Sequence, residues 1–128
     1  MVGTDDARRH AELAIEAFNE GLNFVSKGNA VQSSEKLCKA VEEGVKALAI
    51  AKNLDEAREA MEQGRWSTKL LGRAAARLGP VARHAWLSGY YLRVEGFHEA
   101  RLDIDDVKMV LEDIEALIQE VRKLLSPA

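Results

Sequence analysis

The last quarter of the chain carries apolar residues at steps of three and four positions, and this spacing limits the fold more than any other feature. On an α-helix the spacing places side chains on one face, whereas a half-buried strand needs strict alternation. The residues that follow the helical pattern are Ile104, Val107, Val110, Leu111, Ile114, Leu117, Ile118, Val121, Leu124 and Leu125. Asp103 is the predicted N-cap of this helix, and Ser126-Pro127 is its predicted end.

The same spacing predicts helices along most of the remaining chain. A first helix runs from Asp5 to about Ser26 and ends at Lys27-Gly28, because glycine commonly follows the last helical turn. A second helix begins after its predicted N-cap, Asn29, and runs to about Lys52. So short a connection predicts an antiparallel hairpin of the two helices.

The helical pattern is interrupted more often in the middle of the chain. A short helix is predicted over 55–63, with Gly64 as its stop, and Ser67 is the predicted N-cap of a third long helix. Gly79-Pro80 interrupts that helix, because proline lacks a backbone donor and favours a new helix start. Helix then resumes to about residue 94, and residues 95–102 are predicted to form a loop.

These elements predict an all-α fold with a single domain over residues 1–128. The expected architecture is an up-and-down four-helix bundle with a short extra helix and a Gly-Pro break in its third helix region. The abundance of alanine and leucine favours helix over sheet. No apolar run of about 18 residues exists, and the N-terminus lacks the apolar stretch of a signal peptide. We therefore expect a cytoplasmic protein with no membrane partner.

The net charge of −3 is distributed unevenly along the chain. Residues 1–64 carry 8 basic and 12 acidic side chains, residues 65–98 carry 6 and 1, and residues 99–128 carry 4 and 8, giving −4, +5 and −4. Guanidinium groups bind phosphate oxygens through paired hydrogen bonds, so the central block predicts a phosphate-binding site. Its candidate residues are Arg65, Lys69, Arg73, Arg77 and Arg83. The alternative is that this basic segment forms ion pairs with acidic neighbours in the bundle.

The first four of these candidates are spaced by four residues, so they lie along one stripe of a helix if Arg65 belongs to that helix.

Motifs for metal binding, cofactor binding or nucleophilic catalysis are few in this sequence. No two histidines stand four apart as a helical metal pair, and no glycine-rich phosphate loop occurs, so we expect no metal and no cofactor. We expect His10 at the surface, His84 partly buried, and Cys38 to act as a small buried hydrophobe.

Arg93 and His98 form the candidate catalytic pair. His98 has the chemistry to move a proton at a ribose 2′-hydroxyl, and Arg93 the chemistry to hold the scissile phosphate. On a continuous α-helix, residues five apart point about 140° away from each other. The pair meets only if the helix breaks, and Gly96 is the residue at which we expect that break. A chance occurrence of the two residue types is the alternative.

Two segments resemble signatures of the archaeal PaREP family, a HEPN-like helical-bundle family. They are SSEKLCKAVEEGVKALA at 33–49 and AWLSGYYLRVEGFHEARLDIDDV at 85–107. The resemblance implies an up-and-down helical bundle, often a homodimer, that binds a nucleotide or nucleic acid or supports a nucleotidyltransferase-type partner. Some HEPN domains are metal-independent RNases with an arginine and a histidine four to six residues apart, a spacing that Arg93 and His98 match.

Three hypotheses for function follow. The first is a noncatalytic, dimeric HEPN-like module associated with nucleotide or nucleic-acid binding. The second is a metal-independent RNase that uses Arg93 and His98. The third is a structural protein whose central surface serves dimerisation or another protein contact. Enzymatic activity is left open at this point, and the noncatalytic hypothesis is favoured.

Overall fold

A computed structural model describes the backbone of residues 2–126 and the side chains of residues 5–126. The described residues are all-α and contain no strand. They form α1 (Val2–Ser26), α2 (Ala30–Ala51), α3 (Asp55–Gln63), α4 (Thr68–Leu78), α5 (Pro80–Tyr91) and α6 (Ile104–Arg122). A π-helical segment, Leu92–His98, continues directly from α5. No helix in this part of the chain is long and apolar enough to cross a bilayer.

Local capping signals placed most of the helix ends correctly. Gly64 ends α3 in the left-handed conformation, with φ at 76°, and the Ser67 hydroxyl accepts a hydrogen bond from the Leu70 amide at 3.1 Å. Asp103 and Asp106 cap α6 reciprocally through side chain and backbone. The predicted end of α6 is too late, because the helix ends at Arg122. Pro127 lies outside the described residues.

The antiparallel hairpin of α1 and α2 is confirmed. His10 contacts Glu43 and Glu20 contacts Lys36, so positions rise along α1 as they fall along α2. Asn29 caps α2 as predicted, because its Oδ1 accepts a hydrogen bond from the Gln32 amide at 3.0 Å.

α2 is the central helix of the fold, since it contacts each of the other five α-helices and the π-helical segment. Where α2 packs most closely against another helix, one of the two helices has a glycine at the contact. A Cβ atom added at Gly89 of α5 would lie 3.1 Å from Val41, and one added at Gly44 would lie 3.2 Å from Val121 of α6. Small residues therefore let several helices share one central partner.

The π-helical segment is the main departure from the expected fold. Residues 95–102 were expected to be a loop, but residues 92–98 continue as a helix with wider turns, and the Glu99 amide bonds to the Val94 carbonyl at 2.8 Å. Gly96 faces Ser34 of α2, where an added Cβ would lie 2.6 Å from the Ser34 Cβ. A glycine in this position breaks no helix. It permits the chain to stay helical while it lies directly on α2.

Candidate functional site

The five predicted phosphate-binding residues occupy three different settings in the structure. Arg77 is committed to an ion pair. Its Nε atom lies 3.1 Å and 3.2 Å from the two carboxylate oxygens of Glu56, and its Nη2 lies 3.1 Å from Oε2. Glu56 is buried, and the hydrogen bonds from Arg77 hold the pKa of that carboxyl below its ordinary value. For Arg77, the ion-pair interpretation is therefore correct.

Arg65 is not part of the predicted helical stripe. Because Ser67 caps α4 and the helix begins at Thr68, Arg65 lies in the preceding turn. It lines a groove beside α3 together with residues of α1. The stripe on α4 is therefore reduced to Lys69, Arg73 and Arg77.

The remaining three candidates, Lys69, Arg73 and Arg83, are exposed. Among residues 5–126, none of them forms an ion pair with a carboxylate, whereas Arg77 and Arg93 of the same basic block do. Lys69 and Arg73 lie one turn apart on α4, and Arg83 lies near the start of α5. These cations are available to an external anion.

Two aromatic rings lie on α5, the helix that packs against α4. The indole of Trp86 lies over Gly72 of α4, where an added Cβ would be 3.2 Å from the indole Nε1. Tyr90 is close to Trp86, with ring centroids 6.2 Å apart, and is half exposed. We call the set of Lys69, Arg73, Arg83, Trp86 and Tyr90 the α4–α5 patch. It combines groups that bind phosphate with rings on which a base can stack.

Arg93 and His98 both lie on the π-helical segment. In a π-helix the backbone bonds join residues five apart, so these two residues stand on successive turns and the 140° separation of an α-helix does not apply. Their side chains make separate contacts. Arg93 donates to Glu42 at 2.9 Å, and the exposed His98 ring packs against Phe97 with centroids 5.6 Å apart. His98 has no hydrogen bond to any described residue.

Cys38 lies buried on α2, one turn from Glu42. Burial, and to a smaller extent the charge of Glu42, raise the pKa of the Cys38 thiol to about 12. The side chain is buried, as expected for a cysteine that acts as a small hydrophobe.

The expectation for His10 is wrong. Its Nδ1 lies 2.6 Å from Oε2 of Glu43, and only 14% of the side chain is exposed. Burial raises the pKa of Glu43, but the hydrogen bond with His10 and the charge of Lys46 outweigh burial and leave that pKa below its ordinary value. His84 also differs from expectation, because it is exposed.

The His10–Glu43 pair was not predictable from the sequence, because its members are 33 positions apart. The hairpin register brings them together, and no local spacing signals it. Within residues 5–126, no group of three His, Cys, Asp or Glu side chains is arranged to hold a metal ion.

Comparison with known proteins places this arrangement in a family. The model of the archaeal PaREP1/PaREP8 family matches residues 9–118. A crystal structure of a Sulfolobus solfataricus protein is 35% identical with a TM-score of 0.81, covering 89% of this chain and 97% of that chain. A solution structure of the same structural-genomics target, the Orf c02003 protein, is 35% identical with a TM-score of 0.76, covering 88% and 91%. No curated protein is significantly similar. Because the family match spans most of the sequence, the chain belongs to the archaeal PaREP1/PaREP8 family.

Proposed function

We propose that this protein is a noncatalytic, HEPN-like helical module that binds a nucleotide or nucleic acid through the α4–α5 patch and acts as a homodimer. One observation carries the proposal: the contacting helices α4 and α5 carry three exposed cations without carboxylate partners among residues 5–126, together with two neighbouring aromatic rings. Phosphate groups satisfy such cations, and bases stack on such rings.

The ion pairs of the basic block support this choice. A segment that served only to neutralise acidic helices would pair each of its cations with a carboxylate. Only Arg77 and Arg93 do so in the described residues, and each has a partner on a helix packed nearby. The three cations of the α4–α5 patch, Lys69, Arg73 and Arg83, are left for an external partner.

The charge of the whole chain restricts this binding to one surface. The sequence pI of about 5.7 means that the rest of the surface repels a polyanion. With Lys69, Arg73 and Arg83 as the phosphate contacts, the slope of log K against log salt is expected to be about −2 for single-stranded RNA. A general nucleic-acid binder with many contacts would give a much steeper slope.

The proposed homodimer rests on exposed apolar side chains. Leu87 of α5 is 61% exposed and Met109 of α6 is 70% exposed, and α5 packs against α6. Pairing of two such surfaces removes apolar area from water. The test is light scattering on the purified protein: a dimer is expected, and Leu87→Glu is expected to shift it to monomer.

The binding proposal is tested by fluorescence anisotropy with a labelled oligouridylate of about ten nucleotides, a length that suits a single small site. The double variant Lys69→Gln/Arg73→Gln is expected to weaken binding at least about tenfold. Arg8→Gln/Arg9→Gln is the matched control, because it also removes two positive charges, from exposed residues of α1 outside the patch. No binding at low salt, or equal losses in both variants, contradicts the proposal.

A second candidate function is a metal-independent RNase, supported by the π-helical geometry that puts Arg93 and His98 on successive turns. The Arg93–Glu42 ion pair argues against it, since a substrate phosphate must compete with a carboxylate already in place. The test incubates purified protein with RNA and a chelator. Cleavage that disappears in His98→Ala but persists in His84→Ala, a variant of another exposed histidine, supports the RNase. Absence of cleavage ends this hypothesis.

A further inference from the structure

A groove of about 900 Å³ shares no lining residue with the α4–α5 patch, and no family signature in the sequence points to it. Its walls are the first half of α1, the end of α2 and α3, with the turn of residues 64–66 at one side. Its lining is mainly apolar and includes Ile50, Ala57, Met61, Trp66 and Leu124. Pockets of this volume are large enough to cover most of a small organic molecule.

The charged residues of the groove are predominantly basic. Four arginines line it, Arg8, Arg9, Arg58 and Arg65, against a single carboxylate, Asp6. Arg58 is held by Asp55 and by the carbonyl of Asn53. The other three form no ion pair with any carboxylate among residues 5–126. The groove therefore joins an apolar floor to three guanidinium groups that have no carboxylate partner in the described part of the chain.

Two of these arginines are carried by a turn of α1 that is fixed in place. Arg8 and Arg9 precede His10, whose ring also lines the groove and is bonded to Glu43 of α2 at 2.6 Å. Because this bond anchors the turn to the central helix, the backbone that carries both arginines needs no ordering when a ligand binds. Such preorganisation lowers the entropic cost of binding.

We propose that this groove binds a small amphiphilic carboxylate, a molecule with an apolar body and one anionic head. The apolar body lies on the floor beside Trp66 and Met61, where burial of apolar area supplies affinity. The carboxylate accepts hydrogen bonds from Arg9 and Arg65, since guanidinium groups match carboxylates in shape and charge. This site shares no residue with the α4–α5 patch. The proposal of carboxylate binding in the groove is therefore tested independently of RNA binding at the patch.

The test compares three ligands by titration calorimetry and tryptophan fluorescence. Octanoate has both the apolar body and the charge, 1-octanol lacks the charge, and acetate lacks the body. Octanoate is expected to bind at least about tenfold more tightly than either of the others. The fluorescence change is expected to disappear in Trp66→Phe, which leaves Trp86 as the remaining indole.

Two kinds of variant locate the site. Arg9→Gln/Arg65→Gln is expected to weaken octanoate binding at least about tenfold, and Ala51→Trp, at an exposed position of the lining, is expected to obstruct it with the arginines intact. Lys108→Gln, at an exposed position of α6 that belongs neither to the groove nor to the α4–α5 patch, is the control and is expected to leave octanoate affinity unchanged. Binding of 1-octanol or acetate as tight as that of octanoate overturns the proposal. So does octanoate affinity that is equal in the arginine double variant and the wild type, or an absence of octanoate binding.

Discussion

Gly96→Ala probes the contact that holds the π-helical segment, and with it Arg93 and His98, against α2. The added Cβ would lie 2.1 Å from the Ser34 Oγ and 2.6 Å from the Ser34 Cβ, whereas ordinary contact begins at 3.4 Å. Rotation of the serine hydroxyl relieves the first overlap. It cannot relieve the second, because the Ser34 Cβ is fixed by the backbone of α2, so the two helices must separate by most of an ångström.

Overpacking of this kind costs about 1–3 kcal/mol, and we expect Gly96→Ala to lower the free energy of unfolding by about 2 kcal/mol. For a chain of this size that is a fall in Tm on the order of 8 °C. Ser34→Gly removes both overlapping atoms and leaves Leu102, a flexible side chain at 3.3 Å, as the nearest neighbour. In that background the same alanine is expected to cost less than about 0.5 kcal/mol.

The assay is denaturant unfolding of the wild type, the two single variants and the double variant, followed by circular dichroism. A coupling energy near 1.5 kcal/mol is expected between the two positions. An alanine at 96 that costs the same in both backgrounds would refute the reasoning, because the penalty would then arise within the π-helical segment and not from its contact with α2.

Four further predictions concern stability and reactivity. Ile114→Ala empties a fully buried position and is expected to cost about 2–5 kcal/mol in denaturant unfolding, whereas Lys108→Ala at an exposed position of the same helix is expected to cost less than about 0.5. Ser34→Ala is expected to leave stability unchanged or raise it by about 1 kcal/mol, because the buried Ser34 hydroxyl has no hydrogen-bond partner among the described residues. The pKa of Glu56 is lowered in the folded protein, so the ionised carboxylate stabilises the fold above the unfolded pKa, and this stabilisation is lost as the pH falls through the folded pKa. The difference in Tm between wild type and Glu56→Gln is therefore expected to shrink as the pH is lowered from 7 to 3. With a pKa of about 12, Cys38 is expected to resist a thiol reagent at pH 8 in the native protein and to react in denaturant, and rapid labelling of the native protein would contradict its burial.

Helices were predictable from this sequence because their signals are local. The apolar spacing after Asp103, the capping side chains of Asn29 and Ser67, and the break at Gly79-Pro80 each act within a few residues. The π-helical segment was not predictable in this way. Gly96 looks like a helix breaker in the sequence, and its actual role depends on Ser34, a residue 62 positions earlier on another helix.

The candidate site was predictable only in part, because the positions of its charges are local signals but their ion pairs are not. The basic block predicted exposed cations, and Lys69, Arg73 and Arg83 are exposed. Arg65 belonged to the predicted stripe only if it joined the helix, and Ser67 as the N-cap excludes it. Tertiary contacts decide which of these cations form ion pairs. Arg77, for example, is paired with the buried Glu56 of α3. The groove was invisible in the sequence, since its arginines come from α1, α3 and the turn before α4.

The most direct test of the binding surface is an amide and indole chemical-shift titration of the ¹⁵N-labelled protein with the oligouridylate. The account predicts that the Trp86 indole and the amides of α4 around Lys69 and Arg73 shift, while the Trp66 indole and the amides of α1 around Arg9 stay in place. Shifts confined to residues 92–98, shifts confined to the α1–α3 groove, or no shifts at all would contradict it.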